Sequence, residues 1–212
     1  MSIGSSRNFV KRERMWIRRT TIQQIVQLLE EDDARFAALF LVTYIFLLRL
    51  PSEALPITCG KDTSSHCLFL EDESLVLTLS RRKNRPQGSR LTRGCWCSES
   101  AITCPVHAIG RVIEEVEPGT ALFEGITSTA ALTKLRETLQ IAGVAKAGLY
   151  RCHDIRRGHA VDLQMSGAPL HTILAAGDWR SPAFLDYLDL HGLERDLVVQ
   201  AHMDESEEEL EA

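Results

Sequence analysis

The densest group of chemically capable side chains lies in residues 149–188, LYRCHDIRRGHAVDLQMSGAPLHTILAAGDWRSPAFLDYL. His153 and Arg156 are three residues apart, a spacing that places both on one face of a helix. Trp179 and Tyr187 follow, the latter in a short amphipathic segment. A guanidinium binds anionic oxygens, an imidazole carries protons near neutral pH and a phenol can act as a nucleophile. These side chains are the types needed for group transfer at an anionic centre.

Two further candidates lie upstream. Arg49 is followed four residues later by Glu53 in LLRLPSEALPI, and Lys83 ends a β-like run in RRKNRP. Each candidate also has an ordinary structural explanation. Arg49 could cap a buried helix and pair with Glu53, and Lys83 could be one more solvated charge. His153 could simply start a helix, and Tyr187 could be a half-buried core aromatic.

In their order and spacing, these elements together resemble the catalytic domain of the tyrosine recombinase (phage-integrase) family. The family pattern is an Arg with an acid four residues later, a hairpin Lys, His-x-x-Arg, a His or Trp, and a Tyr nucleophile. The resemblance extends from roughly Thr21 to Leu190. The wording of RRKNRPQGSRL and GDWRSPAFLDYL is most similar to recombinases of eukaryotic mobile elements, which implies a nuclear protein if the source is eukaryotic.

The resemblance implies site-specific DNA recombination, that is DNA integration or strand exchange through a 3′-phosphotyrosyl intermediate without a catalytic metal. Tyr187 would attack the phosphodiester, and Arg49 and Arg156 would bind its non-bridging oxygens. Lys83, by analogy with the family, would protonate the departing 5′-oxygen. His153 would take and return the tyrosine proton.

One position departs from the pattern. In many members the His or Trp lies nine residues before the tyrosine, and here that residue is Asp178 rather than Trp179. A carboxylate facing a phosphate would repel it, so we expect Trp179 to donate its indole N–H to the phosphate from a turn that is one residue tighter. The other interpretation is that this position has been lost.

The implied partners are double-stranded DNA and further copies of the chain, assembled as a tetramer on DNA. By the same analogy, Leu193–His202 is the candidate for a helix exchanged between subunits. Members normally carry a separate N-terminal core-binding domain, whereas about twenty residues precede the first catalytic-domain helix here. The chain is therefore truncated, receives the clamp from another subunit, or has lost recombination.

Three alternatives to a recombinase follow. A non-catalytic DNA-binding descendant would keep the fold and the basic hairpin but no longer cleave DNA. A type IB topoisomerase would use similar residues to relax DNA without paired sites. A zinc-stabilised protein-interaction module would leave the catalytic set unexplained.

A second constellation contains three cysteines and a histidine in CWCSESAITCPVH. These residues supply enough ligands for a closed tetrahedral structural zinc site: Cys95, Cys97, Cys104 and His107. Cys-x-Cys is tighter than the usual two-residue gap, so unrelated thiols beside a helix start are the alternative. No cofactor is expected for catalysis itself.

Residues 81–93 form a basic segment without an acid. Such clusters are usually solvated surface, but beside the catalytic set contact with the DNA backbone is the better interpretation. The expected DNA-binding residues are Arg81, Arg82, Arg85, Arg90 and Arg93.

The composition sets the wider limits. With 212 residues, 44% hydrophobic and 25% charged, the chain predicts one globular unit rather than a disordered or collagen-like one. The net charge of −5 includes six acidic residues in 203–212, so residues 1–202 sum to +1. The sequence contains no phosphate-binding loop of the kind that would indicate a nucleotide cofactor. The absence of a signal peptide or an apolar span predicts an intracellular protein that does not enter membranes.

Elements that position these residues are readable from periodicity. After a basic arm (1–20), Thr21 is the expected N-cap of a first helix, and Ala34 to about Arg49 a buried second one. Two β-like runs, Cys67–Leu70 and Leu75–Leu79, precede a turn at 84–88 and a third strand. Further helices are expected at 106–115, 130–142, 153–165, 170–176, 183–190 and 193–202. The fold class is therefore α+β, predominantly helical with a small antiparallel sheet, as in the DNA breaking-rejoining catalytic domain (21–202), before a disordered acidic tail (203–212).

Overall fold

The chain is described by a computed structural model that covers residues 13–61, 65–97 and 104–179. Six α-helices and four strands lie in these ranges, joined by a π-helical turn and a 3₁₀ turn. In chain order they are α1 (Arg19–Leu29), α2 (Ala34–Ile45), the π turn (Leu50–Ala54), β1 (Thr58–Cys59), β2 (Cys67–Glu71), β3 (Ser74–Leu79), β4 (Ser89–Arg93), α3 (Pro105–Glu114), α4 (Ser128–Ile141), the 3₁₀ turn (Ala147–Leu149), α5 (His153–Met165) and α6 (Leu170–Gly177). The predicted α+β class, mainly helical with a small sheet, is confirmed.

Helix α2 is the centre of the core. Its residues 37–45 are all buried, and α1, α3 and α5 pack around it. This agrees with a sequence that is apolar on every side of the helix. Each large apolar side chain buried here contributes roughly 1.5–3 kcal/mol of hydrophobic stabilisation.

The prediction that α2 continues to Arg49 is wrong, because the helix ends at Ile45. Leu47 has a φ of +51°, and the chain then turns into the π-helical segment. A continuing helix would also require an N–H at position 51, which Pro51 lacks. Arg49 is therefore presented from a turn rather than from a helix end.

The sheet has the order β1-β2-β3-β4. The antiparallel pairs β2–β3 and β3–β4 confirm the three predicted strands, and the turn at Asp72 and Glu73 has the positive φ angles of a tight hairpin. Strand β1 pairs in parallel with β2 and was not predicted, since two residues are too short to show periodicity. The loop between β3 and β4 carries the basic segment.

Helix α1 begins at Arg19, so the prediction of an N-cap at Thr21 is wrong. The carboxylate of Asp162, in α5, accepts the backbone N–H of Arg19 at 2.8 Å. It also accepts the Tyr44 hydroxyl at 2.7 Å. Asp162, which is distant in sequence, thus accepts a backbone N–H at the start of the helix. The prediction had given this capping role to the nearby Thr21.

The chain before α1 packs against α5. The Ile17 N–H donates to the Asp154 carbonyl oxygen at 2.9 Å, and the Ile17 side chain is fully buried. A Cβ at Gly158 would lie 1.7 Å from the Ile17 carbonyl oxygen, so the close approach requires glycine. The part of the basic arm that is described, from residue 13 onward, is therefore packed on the domain.

The later helices follow their predicted positions closely. Helix α5 has the predicted bounds, and α3, α4 and α6 lie within two residues of theirs. The predicted helices 183–190 and 193–202, the acidic tail and residues 1–12 lie outside the described residues. Within the described ranges, no helix is both long and apolar enough to cross a membrane.

Candidate active site

Arg49 is held by Glu53 across the π turn. The Glu53 carboxylate accepts Nη1 of Arg49 at 2.7 Å and the Arg49 backbone N–H at 2.8 Å. The Glu53 side chain is only 3% exposed, whereas that of Arg49 is 25% exposed. A buried carboxylate thus fixes a guanidinium that still reaches solvent.

A second arginine approaches the same carboxylate from the sheet. Nε of Arg82 lies 3.4 Å from Glu53 Oε1, and the Arg82 side chain is 1% exposed. Burial alone would raise the pKa of Glu53, but the charges of Arg82 and Arg49 and the hydrogen bond from the Arg49 amide hold it below its ordinary value. Glu53 is therefore ionised at neutral pH.

The loop between β3 and β4 brings Lys83 beside Arg49. Arg82 and Arg85 exchange backbone hydrogen bonds of 2.9 and 3.1 Å, which closes a tight turn with Lys83 exposed at its tip. A cavity of about 340 Å³ is lined by Arg49, Ser52, Glu53, Arg81, Arg82 and Lys83. Two predicted catalytic residues from separate segments therefore face one cavity.

His153 and Arg156 lie in the first turns of α5. Arg156 is 1% exposed, and its charge acts on the Glu53 carboxylate. His153 keeps an exposed surface, yet enough of its ring is packed that burial lowers its pKa, and the charges of Arg157, Arg156 and Arg49 lower it further, to about 4. The imidazole is thus neutral at pH 7 and lies within the field of both predicted phosphate-binding arginines.

The structure places Asp178 and Trp179 on different partners. Asp178 is buried, with a φ of +53°, and its carboxylate lies 3.2 Å from Nε of Arg85 and 4.0 Å from Nε of Arg82. Trp179 instead stacks on Arg156, whose guanidinium carbon is 4.7 Å from the ring centroid. The carboxylate thus pairs with two arginines of the basic loop, and the indole covers a predicted phosphate-binding side chain.

We use the name cationic cluster for these residues: Arg49, Arg82, Lys83, Arg85 and Arg156 with Glu53 and Asp178. Five cationic side chains in it accompany two carboxylates. Nη2 of Arg82 and both carboxylate oxygens of Asp178 are buried and have no hydrogen-bond partner among the described residues. Because its cations outnumber its carboxylates, the cluster carries a net positive charge and favours an anionic ligand.

The predicted DNA-binding arginines differ in their surroundings. Arg81 is exposed at the cavity, and Arg85 pairs with Asp178 while remaining partly exposed. Arg90 is exposed on β4 and pairs with Glu71. Arg82 is buried on Glu53, and Arg93 donates to the Ile45 carbonyl oxygen at 2.8 Å.

Two contacts of this region were not predicted. The Asn84 amide donates to the Asp178 carbonyl oxygen at 2.7 Å, which ties the basic loop to the end of α6. The pairing of Asp178 with Arg82 and Arg85 was also missed. No local sequence signal links positions 94 residues apart. Tyr187, the predicted nucleophile, lies outside the described residues.

The predicted metal ligands converge at a separate place, after β4 and at the start of α3. The ligand atoms of Cys95, Cys97, Cys104 and His107 all lie within 4.8 Å of one another. All three cysteines are free thiols.

Comparisons with known proteins give a match at the level of structure. No protein-family model matches the sequence, and no curated protein matches it significantly. The pre-cleavage complex of the XerH site-specific recombinase bound to difH substrate aligns with a TM-score of 0.55 and 16% identity, over 81% of this chain and 49% of that one. The post-cleavage complex with palindromic difH substrate aligns with a TM-score of 0.56 and 15% identity, over 80% and 48%.

The chain thus spans about half the length of the XerH chain in both complexes. At such low identity the likeness establishes only the fold. The interpretation of the site residues therefore depends on their geometry in this structure. The chain has the fold of a tyrosine recombinase catalytic domain.

Proposed function

We propose that the chain cleaves and rejoins DNA strands in site-specific recombination, through a 3′-phosphotyrosyl intermediate and without a catalytic metal. The observation that carries this proposal is the cationic cluster. Arg49 and Lys83 come from separate segments and line one cavity with the buried Glu53 carboxylate. The charge of Arg156, from a third segment, acts on Glu53 and on the neutral His153. A fold shared with recombinases solved on DNA adds support.

Arg49 and Arg156 are the proposed phosphate-binding residues. Each guanidinium presents several N–H donors in a rigid fork that matches the non-bridging oxygens of a phosphodiester. Glu53 positions Arg49 before DNA arrives, so little reorganisation is needed when charge develops. Removing one such preorganised donor typically lowers a rate by roughly a hundredfold or more.

The covalent step moves two protons. The Tyr187 oxygen bonds to phosphorus as the bond from phosphorus to the 5′-oxygen breaks. His153, which is neutral at pH 7, accepts the phenol proton, and Lys83 gives a proton to the departing oxygen. Rejoining is the reverse of this step, so the bond energy is conserved in the phosphotyrosine.

Trp179 and the basic loop complete the proposed site. Trp179 covers one face of Arg156 and restricts its guanidinium. Arg81 and Arg85 contact the DNA backbone beside the cavity, together with Arg90 on β4. Arg82 and Arg93, which are engaged inside the domain, shape the loop and the strand that present the others. The mobile-element setting is part of this proposal and rests on the wording of residues 81–91 and 177–188 alone.

The test is covalent trapping on DNA. Wild type, Tyr187→Phe and the control Tyr150→Phe are incubated with a pool of labelled duplexes that carry nicks, because a nick releases the cleaved end and prevents rejoining. A denaturing gel should show an SDS-resistant labelled band with wild type and Tyr150→Phe, and none with Tyr187→Phe. Relaxation of a supercoiled plasmid without paired sites, with no recombinant product, would instead indicate a topoisomerase.

The opposite result is equally informative. A folded wild-type protein that binds DNA in a salt-dependent manner but yields no adduct would overturn strand cleavage. It would favour the non-catalytic DNA-binding descendant. The sequence favoured the non-catalytic alternative only through Asp178, whose carboxylate would repel a phosphate if it faced one. In the structure that carboxylate lies beside Arg82 and Arg85.

A further inference from the structure

We propose that Cys95, Cys97, Cys104 and His107 bind one Zn²⁺ ion in a closed structural site, separate from the cationic cluster. Three thiols and one imidazole are a complete tetrahedral ligand set for zinc. Because they leave no open position for water or substrate, the ion would stabilise the fold rather than take part in strand cleavage. The inference does not depend on whether the chain cleaves DNA.

Three pairs of donor atoms have nearly the spacing that zinc requires. With Zn–S near 2.3 Å and Zn–N near 2.0–2.1 Å, the edges of a tetrahedral site are about 3.8 Å between sulfurs and about 3.5 Å between sulfur and nitrogen. Cys104 Sγ lies 3.5 Å from Cys95 Sγ and 3.4 Å from His107 Nδ1. Cys95 Sγ lies 3.9 Å from the same nitrogen, and Cys97 Sγ lies 3.0 Å from it.

A disulfide does not account for this arrangement. Cys95 Sγ and Cys97 Sγ are 2.8 Å apart, which is longer than the S–S bond of about 2.05 Å and shorter than the edge of about 3.8 Å in a zinc site. A bond between them would also leave Cys104 and His107 gathered at the same point without a reason. A cation that all four donors share explains the convergence of the whole group.

Backbone amides support the thiolate form of two ligands. The Trp96 N–H donates to Cys104 Sγ at 3.4 Å, and the Cys97 N–H donates to Cys95 Sγ at 3.3 Å. Hydrogen bonds of this kind orient metal-bound sulfur and offset its negative charge. His107 is directed by its Nδ1, which is closer to Cys97 Sγ than its Nε2, at 3.0 against 4.0 Å.

The position of these four residues in the fold indicates what a bound ion would stabilise. Cys95 and Cys97 follow β4, and Cys104 is the N-cap of α3, with His107 in the first turn of that helix. Among the described elements, β4 pairs with β3 on one side only. A zinc ion would therefore fasten the end of the outermost strand to a helix that packs on α2. Through β4, it would also steady the loop that carries Lys83.

The first test measures metal in the full chain purified without chelator. We expect one zinc per chain by mass spectrometry of the metals. In Cys97→Ser the zinc should be lost on dialysis against a chelator that leaves wild-type zinc in place, since Cys97 is exposed and its replacement removes a ligand without disturbing the core. Cys152→Ser, a thiol outside the group, should retain the full content.

A second measurement covers the case in which Cys97→Ser does not fold. Cobalt exchanged into wild type should give the visible bands of a tetrahedral ion and the near-ultraviolet bands of bound thiolates. Folded wild type without stoichiometric zinc and without those cobalt bands would overturn the proposal. A Cys95–Cys97 disulfide in the purified protein, seen as a mass loss of the peptide, would overturn it as well.

Discussion

The guanidinium of Arg156 lies against the indole of Trp179, with 4.7 Å between its central carbon and the ring centroid. Arg156 also donates to the carbonyl oxygen of Gly177. A Cβ at Gly177 would lie 2.0 Å from a ring carbon of Trp179, so the missing side chain is what admits the indole. The Gly-Asp-Trp motif thus acts as a unit: Gly177 makes room for the indole, Asp178 pairs with two arginines of the basic loop, and Trp179 restrains Arg156.

This stacking predicts different effects for two substitutions of Trp179. Trp179→Phe keeps an aromatic face for Arg156, whereas Trp179→Ala removes it. Since a cation–π contact is worth about 0.5–2 kcal/mol, we expect the single-turnover cleavage rate of the Ala variant to be roughly 2- to 30-fold below that of the Phe variant. Equal losses in the two variants would show that the indole N–H, rather than the ring face, is what the site uses.

Glu53 is predicted to contribute to both stability and positioning. In Glu53→Gln two guanidiniums lose their shared anion, and one of them, Arg82, is 1% exposed. Breaking a buried ion pair in this way costs about 3–5 kcal/mol. Glu71→Gln is the matched control, because Glu71 also pairs with an arginine but at an exposed site, where the expected loss is much smaller. Urea denaturation of both variants measures the difference.

The same substitution separates binding from catalysis. Removing a negative charge makes the cationic cluster more positive, so DNA affinity of Glu53→Gln should be kept or increased. Cleavage should nevertheless fall by roughly a hundredfold, because Arg49 loses the carboxylate that fixes it. A variant that loses affinity and cleavage in parallel would contradict the positioning role.

The sequence predicted the elements better than their ends. Helix α5 and the strands β2, β3 and β4 could be predicted because their periodicity lies in the local sequence, in residues 153–165 and 67–93. The start of α1 depends on Asp162, and the end of α2 on a turn around Leu47. The first is a tertiary contact that no neighbouring residue indicates, whereas Pro51 does indicate that α2 cannot continue far.

The candidate site shows the same division. The resemblance to a recombinase catalytic domain selected Arg49, Lys83, His153 and Arg156. In the structure Arg49 and Lys83 line one cavity, and the charges of Arg156 and Arg49 act on His153. Residue types and spacing were not enough to separate the members of the basic segment, since its arginines carry the same charge. Burial of Arg82 on Glu53 is decided by side chains 29 positions apart, which only the three-dimensional structure reveals.

Replacing Gly158 by Ala is predicted to destabilise the protein, although Ala is the better helix former. In a helix interior, Ala is normally favoured over Gly by about 1 kcal/mol. At Gly158 a Cβ would meet the Ile17 carbonyl oxygen at 1.7 Å, so Gly158→Ala must displace the segment before α1. We expect a loss of about 1–3 kcal/mol in the free energy of unfolding, as for other overpacked sites.

Gly148→Ala is the control for that loss. Nothing lies within 4 Å of a Cβ at Gly148, so the expected change is within about 0.5 kcal/mol. Thermal and urea unfolding of the two variants provide the measurement. If Gly158→Ala were as stable as Gly148→Ala, the packing of residues 15–17 on α5 would be refuted.

The last prediction concerns acid stability and His159. The His159 ring stacks on Tyr44 at 4.3 Å and bonds through Nδ1 to the Tyr44 carbonyl oxygen. Its pKa is lowered to about 4, chiefly by burial and further by the charges of Arg93 and Arg19, against smaller raising effects of the Tyr44 hydrogen bond and Asp162. In the unfolded chain a histidine titrates near 6.5.

Between pH 6.5 and 4 the unfolded state therefore binds one proton that the folded His159 does not accept. The stabilisation is present in full above pH 6.5 and is lost as the pH falls toward 4, by up to about 3 kcal/mol. His159→Asn keeps a donor for the Tyr44 carbonyl oxygen but cannot titrate. Its unfolding free energy, measured by urea at pH 7 and pH 4, should fall by about 2–3 kcal/mol less than that of wild type, because the other titrating groups contribute equally to both proteins. Parallel pH profiles would exclude a neutral, buried His159.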